Sequence, residues 1–384
     1  MPGDMMGGFN GSPFCRFQTW WKFMPAFTGW LTRCEERLEE GLPASDVLWY
    51  LGDAVDHDPD VQFAFPEGFR WDYLNNDVLM NGLTVRDGAL KIASGASWKV
   101  LWVPDEYRMR AETRAKLEQL AAAGAKVVFG GKAKLAEALK ALEPDVETFP
   151  KLGDEPSEDF MWIHRKVGDG ERYFVAAGLN GYCGRVRFRA TGDAVIYDPV
   201  LETRTAWKNG EVLELPPSGS AFVEFGAAAR GGAGLTDGSR RRDGRVEPIA
   251  GWRPWHDDPS LTREERAFAG TKTYETSFEA AADGESIELD LGKVDSVARV
   301  ILNGHEVAVR WCEPFSCELT PFVKKGRNEL KVEVTGTWRN RIIYDLSLPE
   351  SERKSWIRHR QGYTPQKEDP FVPNGISGPA VLRR

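Results

Sequence analysis

A chain of 384 residues is longer than one hydrophobic core usually serves, so two or three domains of about 100–150 residues are expected. Apolar residues make up 41% and charged residues 28% of the sequence, which is typical of a globular protein. The net charge of −8 argues against a basic face for phosphate groups. We therefore expect neither nucleic acid nor an anionic membrane as a partner.

The sequence contains no candidate membrane span or leader. No apolar run approaches the roughly 20 residues that a helix needs to cross a bilayer. Residues 1–17 lack the basic and apolar regions of a signal peptide. If Met1 is the true start of the protein, the sequence predicts a cytoplasmic location.

The first part of the chain combines apolar strands with helices. A helical pattern covers residues 20–41. The apolar runs at 46–51, 99–103 and 126–129 predict buried parallel strands. Further helices are predicted at residues 76–83, 110–123 and 132–142. Because strands that alternate with helices form parallel sheets, residues 42–150 are interpreted as a flavodoxin-like α/β domain.

Beyond residue 150 the pattern predicts strands and no helix. Short strands separated by turn residues predict a small all-β domain over residues 151–226. Residues 227–245 are rich in Gly, Ala and Arg, which predicts a flexible linker. Residues 246–384 alternate again, with Asn303–Gly304 as a hairpin turn. They predict a jelly-roll, galactose-binding-like β-sandwich, so the whole chain is expected to be multidomain, α/β plus all-β.

The α/β domain lacks the motifs of a nucleotide-binding or nucleophilic enzyme. No GxGxxG follows any predicted strand, and Gly131-Lys132 is followed by Ala133 where a P-loop needs Ser or Thr. A nucleophile elbow is also excluded, because the second strand runs into Pro104. The sequence therefore indicates a scaffold.

An acidic loop is the one metal-site motif in the sequence. Asp56, Asp58 and Asp60 have the spacing of a calcium-binding loop, and Glu67 stands at the distance of its last ligand. Val61 occupies the position that requires glycine, and no flanking helices are predicted. A solvated loop is therefore the favoured interpretation. The five cysteines are scattered and include no CxxC pair, so they do not predict a zinc site.

The 14 tryptophans are many for this length, and sugars stack their C–H faces on exposed aromatic rings. Strand positions make four of them candidate core residues: Trp49, Trp98, Trp102 and Trp162. Others lie near loops or the chain start and are candidates for carbohydrate contact: Trp311, Trp338, Trp20, Trp21, Trp252 and Trp255.

A complete glycosidase barrel does not fit into this sequence. Glycoside hydrolysis needs two carboxylates that flank the bond to be cleaved. The barrel that often carries them needs about 250 residues, whereas the α/β part here ends near residue 150.

With these elements in place, the sequence resembles the C-terminal region of glycoside hydrolase family 106, the large α-L-rhamnosidases. Four stretches in matching order carry the resemblance over nearly the whole chain. They are residues 17–21 with Trp30, Arg33, Cys34 and residues 38–41; residues 46–53 with residues 71–79; Ala269, Gly270, Thr271 and Tyr274; and residues 302–304 with Trp311, Pro314, Phe315, Gly326, Asn328, Leu330, Trp338, Asn340 and Arg341. The last stretch is also similar to the sugar-binding sandwich of family 2 glycosidases.

The resemblance implies where the catalytic machinery lies. The family's barrel, with its acid and base carboxylates and a calcium ion, would precede Phe17, so residues 1–41 resemble the segment that leaves the barrel. No catalytic residue, metal ligand or cofactor is therefore expected in this chain. The W-x-N-R motif implies carbohydrate contacts for Trp338, Asn340 and Arg341. The alternative is structural, with Trp338 packed in the sandwich and Arg341 bridging strands.

Two functions follow from these expectations. The first is the C-terminal accessory part of an α-L-rhamnosidase-like hydrolase, which would be inactive alone and would act beside a catalytic barrel. The second is a free-standing carbohydrate-binding protein whose partner is a rhamnose-containing glycan. If the sequence is a fragment of a full-length relative, the resemblance implies export to the periplasm or the extracellular space.

Overall fold

The computed structural model describes residues 14, 16–53, 65–104, 109–150, 160–230, 245–356 and 364–384. The fold is mixed and mostly sheet, as predicted at that level. It divides into a discontinuous unit (residues 1–33 and 240–384) and a continuous unit (residues 34–239). Helix α1 (Met24–Glu39) contributes residues to both, and a 3₁₀ turn (Trp21–Phe23) precedes it. None of the helices described is long and apolar enough to cross a membrane.

The continuous unit opens with a parallel sheet and its connections. In chain order its elements are β1 (Leu42–Pro43), β2 (Val47–Tyr50), β3 (Trp71–Leu74), a π-helical turn (Val78–Gly82), β4 (Thr84–Arg86), β5 (Ala89–Lys91), β6 (Ser97–Trp98), β7 (Val100–Val103), α2 (Ala111–Ala122), β8 (Lys126–Phe129), α3 (Lys132–Leu139) and β9 (Val146–Pro150). The parallel sheet has the order β3-β2-β7-β8.

Burial on both faces explains why the central strands are continuously apolar. Every residue of β2 and β7 is buried. Leu48 packs in one core with Leu117 of α2, whereas Val47 packs in a second core with Leu135 of α3. The tryptophans predicted to be core residues are buried, as expected: Trp49, Trp98, Trp102 and Trp162.

The helix predicted at 76–83 is present as one short helical segment, in which Asn76 and Asp77 are α-helical and Val78–Gly82 form the π-helical turn. The Asn76 side-chain amide donates to Tyr50 and Asp53. One short element differs from the sequence prediction. The hairpin of β4 and β5 was missed, although Asp87 and Gly88 both have positive φ (53° and 73°) at its turn. An Asp-Gly pair is a turn signal that could have predicted it.

The rest of the continuous unit is antiparallel. It contains β10 (Phe160–Val167), β11 (Gly170–Ala177), β12 (Tyr182–Phe188), β13 (Ala194–Asp198), β14 (Thr203–Trp207), β15 (Val212–Leu215), β16 (Ser220–Phe225) and α4 (Ala227–Arg230). The sheets are β1-β10-β11-β16-β13-β14 and β15-β12-β9. Residues 146–150 therefore join the all-β part through their pairing with β12. The predicted linker begins with α4, and its residues 231–244 lie outside the described residues.

The discontinuous unit encloses one core between two antiparallel sheets. Its elements are β17 (Val246–Pro248), α5 (Arg263–Arg266), β18 (Thr271–Ala280), β19 (Glu288–Asp290), β20 (Val294–Asp295), β21 (Val297–Leu302), β22 (His305–Arg310), β23 (Ser316–Glu318), β24 (Gly326–Thr335), α6 (Arg339–Asp345), β25 (Gly375–Ile376) and β26 (Val381–Arg383), with 3₁₀ turns at Thr320–Phe322 and Glu350–Glu352. The sheets are β17-β26-β19-β23 and β18-β24-β21-β22. Both supply residues to a shared core, including Leu289, Val300 and Val332.

Sequence reasoning succeeds at the hairpin turn and fails at the helices of this unit. Asn303 and Gly304 have φ of 52° and 84° between paired Leu302 and His305, which confirms the predicted turn. The expectation of no helix beyond residue 150 is wrong, because α4, α5 and α6 lie there. The acidic loop cannot be compared with its prediction, since Asp56, Asp58 and Asp60 lie outside the described residues.

A buried histidine ties the two parts of the continuous unit together. His164 on β10 contacts Asp145, just before β9, through Nδ1 at 2.7 Å and Glu171 on β11 through Nε2 at 2.9 Å. Its ring stacks on Tyr173 at 3.9 Å, and the Tyr173 hydroxyl donates to Asp145. Burial opposes the charged imidazole, but the hydrogen bonds to the two carboxylates outweigh it and raise the pKa of His164 above its usual value.

This network predicts pH-dependent stability. Because the folded pKa of His164 is raised, protonation stabilises the fold below the unfolded pKa of about 6.5, and this stabilisation is lost as pH rises through the folded value. We expect His164→Gln to lower the free energy of unfolding by about 1–3 kcal/mol at pH 6. The loss should shrink towards pH 9 in urea denaturation. Equal losses at both pH values would contradict the proton linkage, and His305→Gln, at an exposed position, serves as the control.

Candidate functional site

Trp338 lines a cavity in the discontinuous unit, which we call the Trp338 cavity. Its volume is about 630 Å³, and its lining consists of Thr262, Glu264, Glu265, Phe268, Ala269, Trp338, Arg341 and Lys354. Trp338 directly precedes α6, and its ring N–H donates to the carbonyl oxygen of Phe17 at 2.8 Å. The Trp338 residue is half-buried, and this hydrogen bond holds its ring at the cavity wall.

Short helix α5 forms the other side of this cavity. Thr262 caps it, because the Thr262 side chain accepts from the Glu265 N–H while the Glu265 carboxylate accepts from the Thr262 N–H. Glu264 and Glu265, in the first turn of α5, therefore bring two carboxylates to the cavity lining. The T-x-x-E spacing is a capping-box signal that could have identified α5 in the sequence.

Arg341 forms ion pairs with carboxylates at the wall of the Trp338 cavity. Its Nη1 donates to Glu264 at 3.0 Å, and its Nη2 lies 2.7 Å from Asp345 one turn later in α6. Burial opposes the charge, but hydrogen bonds to Asp345 and Glu264 outweigh it and raise the pKa of Arg341. Hydrogen bonds from Lys354 and Arg341 lower the pKa of Glu264. The cavity wall therefore carries fixed charges of both signs.

The contacts of Asn340 are with the backbone of this chain. It is completely buried, its amide donates to the carbonyl oxygen of Val372 at 2.8 Å, and its side-chain oxygen accepts from the Val372 N–H at 2.8 Å. Both ends of the side chain therefore hold the C-terminal segment against α6. The carbohydrate contact implied for Asn340 stays a prediction. The alternative in which Arg341 bridges strands is wrong, because Arg341 lies in a helix and pairs along it.

Trp311 lies apart from the Trp338 cavity, in a cluster with the aromatic residues of the N-terminal segment. Its ring meets those of Phe27 and Trp30 edge-on, with ring centroids 5.1 Å apart in each case. Phe14 stacks on Phe27 at 5.5 Å and meets Trp20 edge-on at 5.9 Å. These side chains form the Trp311 cluster, beside which a cavity of about 200 Å³ remains.

The structure separates the sequence-predicted residues into distinct environments. Trp338 and Arg341 share one cavity, whereas Trp20 and Trp311 share another. Trp21 is 41% exposed beside them. Trp255 belongs to the core, and Trp252 packs against that core. Sequence reasoning missed Glu264 of α5 and Lys354, which line the same cavity as Trp338.

The Trp338 cavity has the chemical groups that bind sugars. The rings of Trp338 and Phe268 can pack against C–H faces. Lys354 and Arg341 can donate hydrogen bonds to hydroxyl groups, and Glu264 and Glu265 can accept them. No cluster of metal-binding side chains is found among the residues that the structure describes.

Comparisons with known proteins agree with the resemblance of the sequence. The family model described as alpha-L-rhamnosidase matches residues 1–141. A protein of Formosa agariphila named "Putative beta-glucuronidase" is 35% identical over 139 residues, covering 30% of this chain and 12% of that protein. The structure of rhamnosidase from Novosphingobium sp. PP1Y has a TM-score of 0.79 and 22% identity, covering 97% of this chain and 42% of that chain. This likeness establishes a shared fold, and the chain spans less than half of both relatives.

The Trp311 cluster predicts a stabilising role for this ring. We expect Trp311→Ala to lower the free energy of unfolding of the discontinuous unit by about 2–3 kcal/mol, because it removes both edge-on ring contacts. Trp21→Ala is the matched control, since the exposed Trp21 ring should be worth less than about 0.5 kcal/mol. Calorimetric unfolding of both variants provides the measurement. Equal effects of the two substitutions would show that Trp311 has no special packing role.

Proposed function

Because this chain is a relative of the glycoside hydrolase family 106 α-L-rhamnosidases, we propose that it is the C-terminal accessory part of such a hydrolase. In this role it acts beside a catalytic barrel domain. The observation that carries the proposal is the Trp311 cluster, which fixes Phe27 and Trp30 of the N-terminal segment to the sandwich. A segment held in this way can transmit the position of a preceding domain. Buttressing is therefore the main role that we propose.

The finer fold assignment supports the same proposal. The strand order β3-β2-β7-β8 corresponds to 2-1-3-4 in sequence, which is the order of a flavodoxin-like sheet. The paired four-stranded antiparallel sheets of the discontinuous unit support a jelly-roll sandwich of the galactose-binding type. We accordingly propose a flavodoxin-like domain at 42–150, a small all-β domain at 151–226 and a sandwich at 246–384, joined by residues 227–245.

No catalytic role is proposed for a residue of this chain. None of the sheets among the described residues has the eight parallel strands of a catalytic barrel. We propose no cofactor for this chain, and the calcium ion that the resemblance implies belongs to the family's catalytic domain. The proposed partner is a catalytic barrel or a rhamnose-containing glycan. We propose neither nucleic acid nor a membrane as a partner.

The accessory role predicts that the isolated chain does not hydrolyse aryl α-L-rhamnosides. A chimera in which the chain replaces its matching region in the Novosphingobium rhamnosidase should hydrolyse them, because the barrel is then present. Release of the aryl group measured by absorbance distinguishes the two proteins. Turnover by the isolated chain that disappears on substitution of one carboxylate would contradict the accessory role.

The second candidate function is carbohydrate binding at the Trp338 cavity, favoured by its combination of aromatic rings and hydrogen-bonding charges. We expect a rhamnose-containing oligosaccharide to bind the isolated chain, and Trp338→Ala to weaken binding about tenfold through loss of ring contact. Trp21→Ala should bind like the unsubstituted chain. A flat calorimetric titration against a panel of such glycans would leave buttressing as the sole role.

A further inference from the structure

A second cavity lies within the continuous unit, where the loop of residues 65–70 meets β9 and β10. Its volume is about 510 Å³. Gly68 makes the close approach possible, because its φ is +76° and an added Cβ would lie 2.6 Å from the Pro144 side chain. The Gly68 carbonyl oxygen also accepts from the Asp145 N–H at 2.7 Å. The loop is thus anchored against β9, and the cavity, which we call the Arg70 cavity, is built into the fold.

Arg70 places a positive charge in this cavity. Its Nε donates to the carbonyl oxygen of Trp162 at 2.9 Å, and its guanidinium lies 4.7 Å from the centre of the Trp162 ring. Within the described part of the chain, no carboxylate pairs with this guanidinium. Burial lowers the pKa of Arg70 from its ordinary value. An arginine still holds its proton at neutral pH, so the wall carries a cation that no carboxylate of the described residues neutralises.

The other charges that line the Arg70 cavity do not neutralise this cation. Glu147 on β9 already pairs with Arg187, whose Nε donates to it at 2.5 Å. Glu67 is exposed to solvent, where water screens its charge. The guanidinium of Arg70 therefore retains N–H donors for an anion, and a guanidinium binds a carboxylate with two parallel hydrogen bonds.

Aromatic rings surround this cation. Trp71 and Phe160 are half-buried in the cavity lining, and Phe149 is 47% exposed at the same place. Such rings pack against the C–H face of a sugar, whereas a simple inorganic anion gains nothing from them. The cavity thus offers a carboxylate-binding group and a sugar-binding surface together.

We propose that the Arg70 cavity binds an acidic sugar, a uronic acid residue of a glycan. The carboxylate pairs with the Arg70 guanidinium, and the pyranose ring packs on Phe149 and Trp71. This site lies in the continuous unit and is independent of the accessory role and of the Trp338 cavity. It gives the chain a means of recognising acidic polysaccharide.

Binding of an acidic disaccharide and its neutral counterpart tests this site. We expect digalacturonate to bind the full chain at least about tenfold more tightly than galactobiose in calorimetric titration, because one charge-assisted pair is worth a factor of this order. Sodium acetate should bind more weakly than digalacturonate, since it lacks the ring. Arg70→Met should abolish the preference for the acidic sugar, and Arg114→Met, at an exposed position of α2, should preserve it.

A second variant covers the case in which Arg70→Met does not fold. Phe149→Ala removes an exposed ring, so the fold should survive, while the affinity for both disaccharides falls. Three results would overturn the proposal: no binding of digalacturonate at millimolar concentration, equal binding of the neutral sugar, or an unchanged preference in a folded Arg70→Met chain. Because no hydrolysis is measured, the outcome is separate from that of the rhamnosidase experiments.

Discussion

The packing of Trp311 against Phe27 and Trp30 is the contact on which the discontinuous unit depends. It joins side chains separated by about 280 residues of sequence, and it makes the N-terminal segment part of the same compact unit as residues 240–384. The hydrogen bond from Trp338 to the Phe17 backbone fixes the same segment at a second point. Two tryptophans from residues 240–384 therefore hold a segment whose aromatic side chains need a partner surface to bury them.

Buried charges impose the corresponding constraint on the continuous unit. Glu224 on β16 is 1% exposed and pairs with Arg172 and Arg204 at 2.9 and 3.1 Å. Asp145 is likewise buried and contacts His164 and Tyr173. A buried charge is tolerated only with such partners, so these networks fix how neighbouring strands sit together. Arg70 differs from these residues, because its recorded contacts are with Trp162 and no carboxylate among the described residues pairs with it.

The sequence analysis located strands and turns correctly where burial or local backbone preference alone determines the structure. The runs around Leu48 and Leu101 are buried on both sides, and the Asn303–Gly304 turn needs only local backbone preferences. Helix α6 was missed because Ile342 and Ile343 favour strands locally, whereas the helix is stabilised by Asn340 binding Val372 and by the Arg341–Asp345 pair. Of the residues that line the Trp338 cavity, the sequence analysis singled out Trp338 and Arg341. Lys354 and Glu264 reach it through tertiary contacts that no sequence period records.

The two cavities differ in the carboxylates that surround their arginines, and this difference bears on the ligands proposed for each. The charge of Arg341 is already compensated by Glu264 and Asp345, so a carboxylate that entered the Trp338 cavity would meet carboxylates of the same sign. Neutral hydroxyl groups, which can both donate and accept, fit that wall better. Among the described residues no carboxylate compensates Arg70, and a neutral sugar would bring no counter-ion to its guanidinium. We accordingly propose different ligands for two cavities that are both built from aromatic rings and arginine, because the carboxylates around each guanidinium decide whether the cavity as a whole attracts or repels an anion.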